Sequence, residues 1–197
     1  MAALIYIHGF LSSPLSHKAR QTQQWLSANN SDISYYCPSL TPYPKSTQQQ
    51  LERLVESLLP EPVYLIGSSL GGFWATWLVE KYNLRALLVN PAVRPQDFMP
   101  KYLGIDLQSY HTDDSYRLEA HHIDEIDAVD VPVSLLHNYW LLVQTGDETL
   151  DFRDAVKKYE GCKQTIEEGG DHSFQHFERY FEKGLQFLMV GGDFRNV

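Results

Sequence analysis

The stretch YLIGSSLGGFWATWL, Tyr64 to Leu78, passes without a charge from apolar residues into a cluster of glycines and serines, then into bulky aromatics. Within it, Gly67-Ser68-Ser69-Leu70-Gly71 has the pattern Gly-x-Ser-x-Gly centred on Ser69. A turn that only reversed the chain could use Gly, Asn or Asp, so a serine at its centre asks for its own explanation. The apolar run before it, Val63 to Ile66, reads as a strand, and the residues after Ser69 read as a helix to about Tyr82. In that context the central residue takes strained backbone geometry and its hydroxyl is held clear of the sheet. The glycines two residues to either side keep strand and helix from clashing. The helix N-terminus points at the same spot, which places the Leu70 amide to stabilise an oxyanion. Ser68 lacks the glycine symmetry and is the weaker nucleophile candidate.

A serine hydroxyl at neutral pH is a poor nucleophile and needs a base, itself oriented by a carboxylate. On a strand-turn-helix scaffold of this kind the acid and the histidine follow the serine in that order. The strand Trp140 to Gln144 ends in Thr145-Gly146-Asp147-Glu148, which puts Asp147 at a strand's C-terminal end, where α/β folds place their sites. Asp151 is the rival acid, further from the strand end. Gly169-Gly170-Asp171-His172-Ser173-Phe174 then sets His172 in a turn after the last candidate strand and before the final helix. The glycines allow that loop to fold back over Ser69.

The second oxyanion donor should come from the loop after the first strand, Leu4 to Ile7. There Gly9 permits the turn and the Phe10 amide is the expected donor beside that of Leu70. His8 competes with His172 as base on composition alone, but its place before the serine makes it a loop-shaping residue. The pair His121-His122 has no i, i+4 partner or neighbouring thiolate and reads as a solvated stretch, not a metal site.

Further strand-length apolar runs lie at Ile33 to Cys37 and Ala86 to Val89, with a weaker one at Lys163 to Ile166. Most of the runs are continuous in hydrophobicity, as in strands covered on both faces. Helical patterns alternate with them: Lys18 to Asn29; Ser46 to Leu59, opened by Ser46 and Gln49 in capping-box spacing; Leu150 to Tyr159; and Phe174 to Met189. This alternation predicts a three-layer α/β fold, a compact and mostly parallel sheet with helices on both faces. From Pro91 to Asn138 no strong strand appears, only weak helical patterns such as Asp114 to Ala120. A segment this long between two strands reads as a functional insertion, here a helical cap over one end of the sheet (91–138). Its aromatics Phe98, Tyr102, Tyr110 and Tyr116 are packing residues or the wall of an acyl pocket.

At 197 residues without a Pro/Gly/Ser-rich or like-charge linker, the chain reads as one domain, 1–197. A formal net charge of -9 argues against nucleic acid or an anionic membrane surface as the main partner. The two cysteines, Cys37 and Cys162, are too few for a disulfide scaffold or a thiolate metal site. The first residues carry no basic leader and no run is long enough to span a membrane, so a cytoplasmic protein without membrane insertion is expected.

Taken in order, HGFLSSP, GSSLGG, QTGDETLD and GGDHSF resemble the small bacterial esterases of the YqiA/YcfP type in the α/β-hydrolase superfamily. The resemblance runs from Tyr6 to the last helix. It implies a compact α/β-hydrolase fold that begins at the strand carrying the oxyanion loop. It also implies a carboxylesterase or acyl-CoA thioesterase with Ser69, Asp147 and His172 as the triad. The expected partner is a small-molecule ester or acyl-CoA, and the chemistry requires no metal or organic cofactor. An amidase, peptidase or lipase on the same scaffold, or a non-catalytic binding protein of this shape, are the alternatives.

Overall fold

Alternate residues of the first strand, β1 (Ala2–Ile7), enter opposite layers. Leu4 and Tyr6 join one apolar cluster, while Ile5 and Ile7 join the other. Burial on both faces is why the run is hydrophobic throughout. In the computed structural model, which describes residues 1–30 and 32–190, β1 belongs to a six-stranded sheet. The strands that follow in the chain are β2 (Ile33–Tyr36), β3 (Val63–Ser68), β4 (Arg85–Val89), β5 (Asp106–Gln108), β6 (Ser115–Arg117), β7 (Tyr139–Gln144) and β8 (Lys163–Glu167). The sheet order is β2-β1-β3-β4-β7-β8, and each neighbouring pair is parallel. After β2 the chain returns to the other side of β1, so a crevice opens beyond the C-terminal ends of β1 and β3.

The helices are α1 (His17–Asn29), α2 (Pro44–Leu58), α3 (Leu70–Tyr82), α4 (Pro95–Phe98), α5 (Ala120–Asp127), α6 (Phe152–Lys158) and α7 (Phe181–Met189). Helices α1 and α7 cover one face with Ala19, Leu26, Phe181, Leu185 and Leu188. On the other face lie Leu51 and Val55 of α2, Trp74 and Leu78 of α3 and Ala155 of α6. Helix α3 is buried on nearly every side, from Leu70 to Val79, which explains its apolar sequence all round.

The starts of two helices, α2 and the last one, differ from the sequence reading. Helix α2 opens at Pro44 with Tyr43 before it and no side-chain cap, so Ser46 and Gln49 do not form the expected capping box. Proline's fixed φ and missing N–H suit the first helical position. The final helix does not start at Phe174, because Phe174 and His176 hold φ of 59° and 60°. A 3₁₀ turn covers Phe177–Tyr180 and the α-helix begins at Phe181.

The segment between β4 and β7 carries α4, α5 and an antiparallel ladder of β5 with β6 that the sequence reading did not assign. Ser115 and Arg117 are exposed while Tyr116 is half-buried, a period of two in what read as a weak helix. His122 is not solvated: it is buried in α5, where its Nδ1 accepts the Glu119 amide at 2.9 Å. Among the described residues no helix is long and apolar enough to cross a membrane.

Candidate functional site

Ser69 occupies the step between β3 and α3 with φ 55° and ψ -124°, a conformation that L-residues adopt only under constraint. The constraint is close packing of backbone on backbone. A Cβ on Gly71 would lie 1.9 Å from the Ile7 carbonyl oxygen of β1, and one on Gly67 2.5 Å from the Gly71 oxygen. Only glycine at both places lets α3 start this near the sheet. Ser68, by contrast, is buried as the last residue of β3.

The loop after β8 returns to this turn. His172 Nε2 lies 3.0 Å from Ser69 Oγ, and its Nδ1 lies 2.8 Å from Asp147 Oδ2 and 2.9 Å from Oδ1. Asp147 follows β7, and its side chain is only 2% exposed against 23% for His172. Its Oδ1 also accepts the amides of Thr149 and Leu150, each at 2.9 Å. A carboxylate with this many donors is held in one orientation. Asp151 is elsewhere: it caps α6 by accepting the Arg153 amide at 3.0 Å and pairs with the Arg153 guanidinium, which holds its carboxyl down to about 2. The sequence thus named the three side chains that the fold brings together, and the rival acid is a helix cap.

Phe10 stands on the loop after β1 and Leu70 opens α3, and neither amide has a hydrogen-bond partner among the described residues. Gly9 passes close under the serine, since a Cβ there would lie 3.1 Å from that of Ser69. His8 is buried and far from a base's role. Its Nε2 accepts the Leu40 amide at 3.0 Å and its Nδ1 donates to the Gly9 carbonyl at 3.0 Å. Burial lowers its pKa, so the ring is a neutral brace between the loop after β1 and the one after β2.

A cavity of about 680 Å³ opens at Ser69 and His172. Phe10, Phe98, Tyr102, Tyr110 and Phe174 line it, so three of the four aromatics singled out between β4 and β7 face the site. Tyr116 is not among the lining residues; its ring packs edge-on against Tyr43 at 5.8 Å. The volume suits a small organic ligand. Lys18 also lines the cavity and was not foreseen. Its ammonium donates to the Ser173 carbonyl at 2.6 Å, and burial lowers its pKa to about 8 against the opposing pull of Asp171 and Asp147. A cation in the first turn of a helix opposes the helix dipole, and that was the available signal.

Among known proteins, a UPF0227 protein of Shewanella woodyi is 33% identical over 102 residues, covering 49% of this chain and 54% of that one. The alpha/beta hydrolase domain-containing protein 17C of Xenopus tropicalis is 27% identical over 135 residues, covering 66% of this chain and 39% of that one. The chain therefore spans about half or less of the length of these relatives. A solved structure from Agrobacterium vitis S4 superposes with a TM-score of 0.76 at 14% identity, over 95% of this chain and 88% of that one. The monoacylglycerol lipase of Paleococcus ferrophilus superposes with a TM-score of 0.69 at 15% identity, over 94% and 93%. At these identities the structures establish the fold, which is that of the α/β-hydrolases. The model of the family described as Uncharacterised protein family (UPF0227) matches residues 3–189, and the protein belongs to that family.

Proposed function

We propose that the protein is a serine hydrolase that cleaves carboxylic esters or acyl thioesters through an acyl-enzyme. The reading is carried by one observation: the unbroken series Ser69 Oγ, His172, Asp147, with contacts of 3.0 and 2.8 Å. His172 takes the hydroxyl proton as Ser69 Oγ bonds to the substrate carbonyl carbon. The carbonyl π electrons move to oxygen, where the Phe10 and Leu70 amides meet the negative charge. Collapse of that intermediate expels the alcohol or thiol, which leaves with the proton from His172. Water, deprotonated by the same imidazole, then releases the acid and restores Ser69. Asp147 keeps Nδ1 protonated and Nε2 facing the serine throughout. The segment 91–138 acts as the cap, and its Phe98, Tyr102 and Tyr110 take the apolar part of the substrate. The α/β-hydrolase names of the relatives and the lipase among the structural neighbours support the same class.

The test is labelling by a fluorophosphonate together with turnover of p-nitrophenyl esters, acyl-CoAs and peptide amides. Label on the wild type, none on Ser69→Ala, and ester or thioester turnover are expected. An unlabelled folded wild type, or cleavage confined to amides, would overturn the reading.

A further inference from the structure

The segment between β8 and the 3₁₀ turn at Phe177, which carries His172, has no helix or strand of its own. Its backbone polar groups must nevertheless be satisfied where they are buried. Glu148 Oε2 accepts the His172 amide at 3.0 Å and Lys18 Nζ donates to the Ser173 carbonyl at 2.6 Å, while two buried amide side chains hold the backbone groups on both sides. Asn90 Nδ2 donates to both the Asp171 and the His172 carbonyls, at 2.9 and 3.1 Å. Gln144 Oε1 accepts the amides of Asp171 and Gln175 at 3.3 and 2.8 Å, and its Nε2 donates to the Gln175 carbonyl at 3.0 Å. The two are joined, because Asn90 Oδ1 accepts the Gln144 amide at 3.0 Å. Each is 3% exposed.

Asn90 and Gln144 stand at the C-terminal ends of the adjacent strands β4 and β7, so they carry the rigidity of the sheet into a loop that has none. The remaining Gln144 Nε2 contact, to Glu167 Oε2 at 2.8 Å, ties the pair to β8 as well. The loop's left-handed Gly170 belongs to the same arrangement: with φ 74°, its missing Cβ would lie 2.0 Å from Gln144 Oε1. Neither side chain bonds Ser69, Asp147 or the imidazole itself.

We propose that Asn90 and Gln144 are positioning residues that fix the backbone on both sides of His172 and thereby set the imidazole between Ser69 and Asp147. The proposal rests on the hydrolase reading for its effect on rate, but not for its effect on the imidazole. Neutral amides suit the task because their donors and acceptors do not change with pH.

The decisive variant is Asn90→Asp. It keeps the size, tolerates the left-handed φ of 41° and retains an acceptor for the Gln144 amide, but turns a carboxylate oxygen toward two carbonyls. Gln144→Met is the second variant, close in volume and without either polar atom. Asn83→Asp, at the left-handed C-cap of α3, is the control. With p-nitrophenyl acetate, kcat should fall about 100-fold in both test variants with KM within about twofold, as for a misplacement of order 1 Å. The downfield proton NMR signal of the His172 Nδ1–H bonded to Asp147 should broaden or vanish in both and persist in the control. Folded variants that keep kcat and that signal would overturn the proposal, as would a fall in kcat with the signal intact. Failure of both to fold would overturn it too, by making the pair part of the structural core. A wild type without hydrolysis, whose Nδ1 signal is nonetheless lost in the variants, would uphold the positioning role and sink the hydrolase reading instead.

Discussion

His172 Nε2 lies 3.0 Å from Ser69 Oγ although 103 residues separate them in the chain. The contact exists because β3 ends, and the loop after β8 begins, at the same C-terminal end of the parallel strands, and because Asp147, two strands from Ser69, fixes the far side of the ring.

The choice between two nearby acids can be tested directly. Asp147→Asn should lower kcat about 10³- to 10⁴-fold, since an amide donating to Nδ1 would enforce the wrong imidazole tautomer. Asp151→Asn should leave kcat within about twofold, because that carboxylate pairs with Arg153 and caps α6. Parallel steady-state kinetics on one ester decide the matter; equal losses would break the assignment of the acid.

The backbone at Ser69 holds a cost that the proposed nucleophilic role requires. With φ 55° and ψ -124°, a residue with a Cβ is strained there by about 1–3 kcal/mol. Ser69→Gly relieves the strain and meets glycine's greater unfolded-state entropy, so the net gain should be about 1 kcal/mol. That corresponds to about 2–4 °C in Tm for a chain of this size. Ser69→Ala keeps the strain and should show no such gain. Calorimetry of the two inactive variants gives the comparison.

Gly71→Ala should be severely destabilising, by about 3 kcal/mol. The added carbon would meet the Ile7 carbonyl oxygen at 1.9 Å, and backbone cannot turn aside as a flexible side chain can. A urea titration should show a lower midpoint with an unchanged slope. A wild-type midpoint would mean that α3 does not approach β1 this closely.

His8 should give the protein a component of acid sensitivity. Burial lowers its pKa below 6.5, so the unfolded chain binds a proton more readily than the native state does. Stability therefore rises with pH between the folded value and 6.5, is fully present above 6.5, and is lost as pH falls below it. His8→Gln, which can keep a donor and an acceptor but does not titrate, should flatten that part of the profile. Urea melts at pH 7.0 and pH 5.5 on both proteins test this, and parallel losses would exclude His8 as the source.

The sequence by itself determined the period of the six sheet strands and the main helices and the chemistry available at their ends. Continuous apolar runs marked sheet strands, the glycines around Ser69 marked a turn that only close packing requires, and Asp147 at a strand end and His172 in a later turn stood in the order that the proposed chemistry needs. These are local properties, written in neighbouring residues. Tertiary structure decided what depends on partners distant in the chain. Ser115–Arg117 became a strand because β5 supplied its ladder bonds, and α2 opened at Pro44, where Tyr43 packs against Tyr116 and His122. Phe174 and His176 took left-handed backbones, which a bulky phenylalanine rarely adopts, while Asn90 and Gln144 held the loop containing them. An asparagine after one strand and a glutamine ending another carry no mark of joint purpose until the sheet sets them side by side.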